Sequence, residues 1–160
     1  MRIAVRFGRP EDDDFIATLG AECAGDSVSR VRPAEAHVAA MSFQRLLAFC
    51  RGRPGTVDLI AERDGERVGF LIMLTDIPDE VTQGDQAFVA YMAVDPKARG
   101  RGAGGALVAA AEAEAARQGL PHLSLMVTAD NDVARRLYAS AGFFEERMLL
   151  TKPISLGPVS

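Results

Sequence analysis

The sequence predicts an α/β fold of the α+β kind, with elements in the order β-α-α-β-β-β-α-β-α-β. Three observations carry that expectation. Stretches of strand-like alternation interchange with stretches whose apolar residues recur every three or four positions. In mid-chain, Arg63-Asp64-Gly65-Glu66 is a hairpin signal between two apolar runs, which points to an antiparallel meander. The apolar run Phe88 to Val94 then passes through a basic, glycine-rich turn into an alanine-rich helix. The chain has 160 residues, 48% hydrophobic and 25% charged, which suits a single globular domain. That domain is expected to span residues 1–154, with residues 155–160 as a loose tail.

Arg2 to Phe7 alternates polar and apolar residues and is expected to be a half-buried strand. Pro10 and the acids Glu11 to Asp14 then open a helix that carries Phe15, Ile16 and Leu19 and ends near Gly25. A loop over Asp26 to Arg32 leads to Pro33, which suits the first turn of a second helix ending near Gly52. Val57 to Glu62 and Arg67 to Thr75 form the hairpin. Gln86 to Val94 adds a third strand after the polar loop from Ile77 to Asp85. A helix from Gly102 to Gln118 stops at Gly119-Leu120-Pro121. His122 to Thr128 is a strand and Asn131 to Ala141 a helix, capped by Asp130 or Asn131 and ended at Gly142. Phe143 to Met148 and Leu149 to Lys152 are expected as short terminal strands or one bent hairpin.

The glycine-rich turn reads Val94-Asp95-Pro96-Lys97-Ala98-Arg99-Gly100-Arg101-Gly102-Ala103-Gly104-Gly105. Three cations against one acid make it basic, in a chain of net charge −4. Glycine admits close approach of a ligand to the backbone, and a helix start offers unpaired N–H groups and partial positive charge. The combination is suited to phosphate. It is not a Walker loop, because Gly104-Gly105-Ala106 supplies neither the lysine nor the hydroxyl that follow the glycines there. Gly100, Gly102 and Gly105 match G-x-G-x-x-G literally, but Asp95 to Arg99 separate them from the strand, and most of the chain precedes them. Arg99, Gly102 and Gly104 satisfy R-x-x-G-x-G.

A second motif follows in Asn131-Asp132-Val133-Ala134-Arg135-Arg136-Leu137-Tyr138-Ala139-Ser140-Ala141-Gly142-Phe143, where Ala134, Leu137, Tyr138 and Ala141 share one helix face. With the arginine–glycine loop it resembles the GNAT superfamily of N-acetyltransferases, over the stretch from Phe70 to Lys152. The resemblance implies a mixed, mostly antiparallel sheet of six to seven strands with about four flanking helices. It also implies acetyl-CoA as acyl donor. By position, the backbone of Met92, Ala93 and Val94 would face the pantetheine arm. Arg99, Gly100, Arg101, Gly102, Ala103, Gly104 and Gly105 would wrap the pyrophosphate. Asn131 would orient the cofactor or cap its helix. Tyr138 would protonate the departing thiolate as the catalytic acid, or serve as a packing aromatic. Arg135 and Arg136 suit a solvated helix surface or the nucleotide phosphates.

The implied reaction is direct attack of a primary amine on the thioester; the other reading is an acetyl-CoA-binding sensor or structural module. The strand before the loop, Ala87 to Ala93, carries no carboxylate to serve as base. Asp76, Glu80 and Asp85 flank it and could act through water, and Tyr91 is a polar group on the strand itself. Acid–base assistance contributes about 10²–10⁴-fold, so an enzyme dominated by positioning can do without it. The acceptor stays open between a small-molecule amine and a peptide or protein amine; Asp26, Ser27, Arg30, Arg32 and Glu35, in the region expected to line it, mix signs. The acidic balance argues against nucleic acid as partner, and no run of 18 apolar residues argues for a membrane. Cys23 and Cys50 resemble packing residues of a reducing compartment, and neither histidine has metal-binding spacing with them. A cytoplasmic protein without metal, in which a homodimer is allowed, is the expectation.

Overall fold

A computed structural model describes residues 2–158. Met1 and, from the expected tail, Val159 and Ser160 lie outside the described residues. The strands are β1 (Ile3–Phe7), β2 (Thr56–Arg63), β3 (Glu66–Leu74), β4 (Ala87–Val94) and β5 (Leu123–Leu125). The helices are α1 (Asp13–Cys23), α2 (Ala36–Arg51), α3 (Ala103–Arg117) and α4 (Asp132–Ser140). The strands lie in one sheet in chain order; β1 to β4 are antiparallel neighbours, and β5 joins β4 in parallel.

Sequence explains the central elements directly. Asp64 and Gly65 both adopt positive φ, as a two-residue hairpin turn between β2 and β3 requires. Val68 to Leu74 is a continuous buried run because both faces of β3 are covered. Ile60, Phe70, Ile72 and Leu74 pack under α1 and α2, with Ile16, Leu19 and Phe43. On the other face Leu59, Ala61, Leu71 and Met73 pack against Leu107, Ala111 and Ala115 of α3. Alanine on that side of α3 lets the helix lie close to the sheet. At the entry to α1, the fully buried Asp12 accepts from Arg6 at 2.7 and 3.0 Å, Arg67 at 3.1 Å and the Arg9 N–H at 2.8 Å. A buried carboxylate is tolerable only with such partners.

Two expectations need correction. Among the described residues the sheet has five strands rather than six to seven, and the element order ends at α4. Residues 143–152 form no strand because they have no ladder partner within the chain: β5 keeps pairing only to Leu125, and no backbone hydrogen bond joins residues 144–158 to another segment among the described residues. The expected strand from His122 to Thr128 is accordingly shortened to three residues.

Candidate active site

β4 is the element on which the site is built. β5 pairs with it only at Ala87–Leu123, Phe88–Ser124 and Val89–Leu125. Beyond Val89 the two strands separate, while β4 stays paired to β3 as far as Gly69–Val94. The Asp95 N–H donates to the Val68 oxygen at 2.8 Å. By the two-residue period of a ladder, the peptide groups of Ala93 therefore turn toward β3, and those of Met92 and Val94 toward the gap. The expectation that all three present backbone to a ligand is thus corrected for Ala93. Unpaired strand amides of this kind are ready partners for an extended amide-bearing chain.

The loop leaves β4 through a 3-10 turn at Pro96–Ala98, which the Asp95 carboxylate caps by accepting from the Lys97 N–H at 3.0 Å. Gly100 and Gly102 have φ of 77° and 92°, and Gly102 is the N-cap of α3. The first helical bond from the turn is Ala106 N–H to the Gly102 oxygen at 3.0 Å. Among the described residues the N–H groups of Ala103, Gly104 and Gly105 have no protein acceptor. They form the electropositive start of a 15-residue helix. A Cβ on Gly104 would stand 2.9 Å from Leu137 Cδ2 and 3.7 Å from Met92 Cε, so β4, α3 and α4 converge there. Between α3 and α4 runs an open groove of about 280 Å³, lined by Gly105, Val108, Ala109, Leu137, Ser140 and Ala141.

Arg99 is placed differently from expectation. Its side chain folds back to the end of β4, donating from Nε to the Val94 oxygen at 3.1 Å and from Nη2 to the Asp26 carboxylate at 3.1 Å. Nη2 also lies 3.4 Å from Cys23 Sγ. Arg101 is exposed, and Ala103 is buried with only its backbone available. Asn131 is the N-cap of α4, its Oδ1 accepting from Ala134 N–H at 3.1 Å, while its Nδ2 donates to the Asp26 oxygen at 3.4 Å. The cap reading of Asn131 is therefore realised, together with a contact across the gap.

Tyr138 lies on α4, its ring edge-on to Phe143 at 5.6 Å between centroids. Its hydroxyl has no protein partner among the described residues, and burial pushes the phenol above its ordinary pKa. It is thus a protonated donor at neutral pH. Tyr91 donates to the Gly20 oxygen at 3.4 Å, and burial raises its phenol far above the usual range, which removes it as a base. Asp76 is paired with Arg53 beside Gly55, and with Glu80 and Asp85 it belongs to the loop entering β4, at the end of the strand opposite Val94. None of these three acids is brought to the open end.

Asp26 is the carboxylate found there, and sequence reasoning gave it no catalytic role. A neighbouring contact, Thr128 Oγ1 to the Ser27 oxygen at 2.6 Å, ties the same α1–α2 loop to the loop before α4. About a hundred residues separate these partners, and no local signal could have paired them. Burial raises the Cys23 thiol, so it stays protonated beside Arg99.

The site is thus a parallel pair of strands that opens beside a glycine-rich helix start, in a mixed α/β fold. Residues 27–143 match the Acetyltransferase (GNAT) family, and the chain belongs to that family. The L-2,4-diaminobutyric acid acetyltransferase of Nocardia farcinica is 34% identical over 110 residues, 68% of this chain and 53% of that protein. The mycothiol acetyltransferase of Sanguibacter keddieii is 38% identical over 87 residues, 53% of this chain and 27% of that protein. The chain thus spans about half or less of the length of these relatives. The solved ribosomal-protein-alanine N-acetyltransferase of Brucella melitensis superposes with a TM-score of 0.68 at 22% identity, covering 96% of this chain and all of that one.

Proposed function

We propose that this protein transfers the acetyl group of acetyl-CoA to a primary amine. The observation that carries the reading is the continuity of two sets of free backbone groups. The outward-facing peptide groups of Met92 and the free N–H of Val94 lead toward the unpaired N–H groups of Ala103, Gly104 and Gly105. The first set suits an amide-bearing pantetheine, and the second a pyrophosphate. Gly100, Arg101 and Gly102 complete the turn, and the α3–α4 groove continues away from it.

Chemistry then follows from positioning. The Val94 N–H, turned to the gap, polarises the thioester carbonyl and stabilises the oxyanion. A neutral amine attacks the carbonyl carbon, the carbon–sulfur bond breaks, and the Tyr138 hydroxyl protonates the leaving sulfur. The Asp26 carboxylate, at the same end of β4, receives the acceptor's ammonium or takes its proton through water. Two of the relatives carry names of small-molecule acetyltransferases, which favours a small amine over a protein acceptor. The free thiols Cys23 and Cys50 fit a cytoplasmic setting. Among the described residues no helix is long and apolar enough to cross a membrane.

The test is release of free thiol from acetyl-CoA against a panel of small amines, diamines and peptide N-termini. Amine-dependent thiol release with acetylated product supports the proposal. Tight acetyl-CoA binding with no release across the panel replaces it with a sensor or structural role.

A further inference from the structure

Asp130 is a carboxylate that neither the core nor the transfer step uses. It lies between β5 and α4, immediately before the Asn131 N-cap. It accepts twice from one residue of the α1–α2 loop: Oδ2 takes the Arg30 main-chain N–H at 2.7 Å, and Oδ1 takes Arg30 Nε at 3.0 Å. These donors, the main-chain N–H foremost, hold the Asp130 carboxyl below the ordinary carboxylate range. A carboxylate that grips main chain and side chain together fixes the backbone of its partner. An ion pair between two exposed side chains does not.

Two further bonds run the same way. Thr128 Oγ1 donates to the Ser27 oxygen at 2.6 Å, and Asn131 Nδ2 to the Asp26 oxygen at 3.4 Å. From the other side Arg99, bonded to the Val94 oxygen, holds the Asp26 carboxylate. The loop from Asp26 to Arg30 therefore crosses from the end of β4 to the segment after β5, the two sides of the opening in the sheet. Little else holds it. Residues 28–35 belong to no helix or strand, Val28 is the one apolar side chain of residues 26–32 packed against the core, and Arg32 reaches Thr151 from an exposed position.

We propose that Asp130 is a positioning residue for the amine acceptor: it anchors the α1–α2 loop across the opening, so that Asp26 and the loop's main chain present one fixed surface to the amine. The inference rests on the acetyl-transfer reading and on the place of Asp26 on the acceptor side. Asp130 touches none of the reacting groups and acts through the loop alone. A loop released at Arg30 samples many conformations, and the amine must then order it on binding. That cost falls on the acceptor. The main-chain groups of Met92, Val94 and the α3 start, which face the acyl donor, are not part of the loop.

The experiment compares wild type, Asp130→Ala and Asp130→Asn by steady-state kinetics and by amide hydrogen exchange. The substrates are acetyl-CoA and the small amine that releases thiol fastest in the panel above. The Arg30 side chain is 90% exposed and that of Asp130 27%, so both variants are expected to keep their circular dichroism and a Tm near wild type. The expected result for Asp130→Ala is an amine KM raised about tenfold, the size of a lost charge-assisted hydrogen bond, with kcat and the acetyl-CoA KM within about twofold of wild type. Exchange in residues 28–32 should quicken, with β4 and α3 unchanged. Asp130→Asn keeps an oxygen for the Arg30 N–H and should fall between; it decides by the same readouts if Asp130→Ala melts early. An unchanged amine KM, an equal rise in both KM values, or unchanged exchange in the loop overturns the positioning role and leaves acetyl transfer standing. A wild type that acetylates no amine overturns both.

Discussion

The guanidinium of Arg99 donates to the carbonyl oxygen of Val94 at 3.1 Å, and so occupies the last outward-facing acceptor of β4. The same guanidinium bonds Asp26. One side chain thus ties the glycine-rich loop, the open end of the strand and the α1–α2 loop together. We propose that Arg99 acts as a brace of the site, in addition to its place in the glycine-rich motif.

Arg99→Ala is therefore expected to weaken coenzyme A and its dephosphorylated pantetheine fragment by the same factor. Calorimetric titration of both ligands decides the matter. A loss confined to coenzyme A would put the guanidinium on phosphate after all.

Glycine substitutions separate binding from folding only at the right position. Gly102 needs positive φ, and a side chain at Gly104 would press on Leu137, so variants at either also disturb the fold. At Gly105 a Cβ meets only Leu137 Cδ1, at 4.0 Å. Gly105→Ala should leave Tm unchanged or slightly raised. Acetyl-CoA affinity should fall roughly tenfold, comparable to losing one charge-assisted hydrogen bond. Unchanged affinity in the folded variant would move the pyrophosphate away from this helix start.

Tyr138→Phe removes the hydroxyl and keeps the ring against Phe143. It should lower kcat and kcat/KM together by roughly 10- to 1,000-fold, leave acetyl-CoA affinity near wild type, and barely shift Tm. Full activity would take Tyr138 out of the reaction and leave proton delivery to water.

Asp26 tests the acceptor side. Asp26→Asn should reduce kcat/KM for a cationic amine by about tenfold or more. Its ion pair with Arg99 is largely solvated, so stability should change little. Wild-type kinetics in this variant would leave Asp26 with only its contacts to Arg99 and Asn131.

Acid stability should depend on Asp12. Its bonds to Arg6, Arg9 and Arg67 hold the carboxyl well below the ordinary range, and Glu114, bonded by Arg117 and Gln118, is lowered to about 2. Both groups have folded-state pKa values below their unfolded ones of about 4, so their contribution is complete above about pH 4. It is lost as the pH falls through the folded values. Asp12→Asn should cost about 3 kcal/mol at pH 7 and flatten the acid limb of the stability curve. Urea titrations from pH 7 to pH 2 measure both; a parallel acid limb in the variant would show that Asp12 does not drive it.

Much of the fold was legible because its signals are local. Asp64-Gly65 dictates a hairpin turn, and the alanine-rich run after Gly102 dictates a helix that can lie flat on a sheet. The R-x-x-G-x-G spacing, with Asn131 to Phe143 after it, pointed to the family before any contact was known. Less legible were the direction of the Arg99 side chain, the arrival of Asp26 at the end of β4, and the turning of Ala93 toward β3. Those depend on which strand lies on which side of β4, and a periodicity does not contain that information. The terminal strands show the same division. Alternation from Phe144 to Leu156 specifies a segment able to pair, whereas pairing also needs an edge within reach. Here β5 pairs with β4 alone, so that segment stays off the ladder. Secondary structure follows from the chemistry of neighbours in sequence. The site and the edge of the sheet follow from hydrogen bonds between residues tens to a hundred positions apart, and only the packed chain selects those.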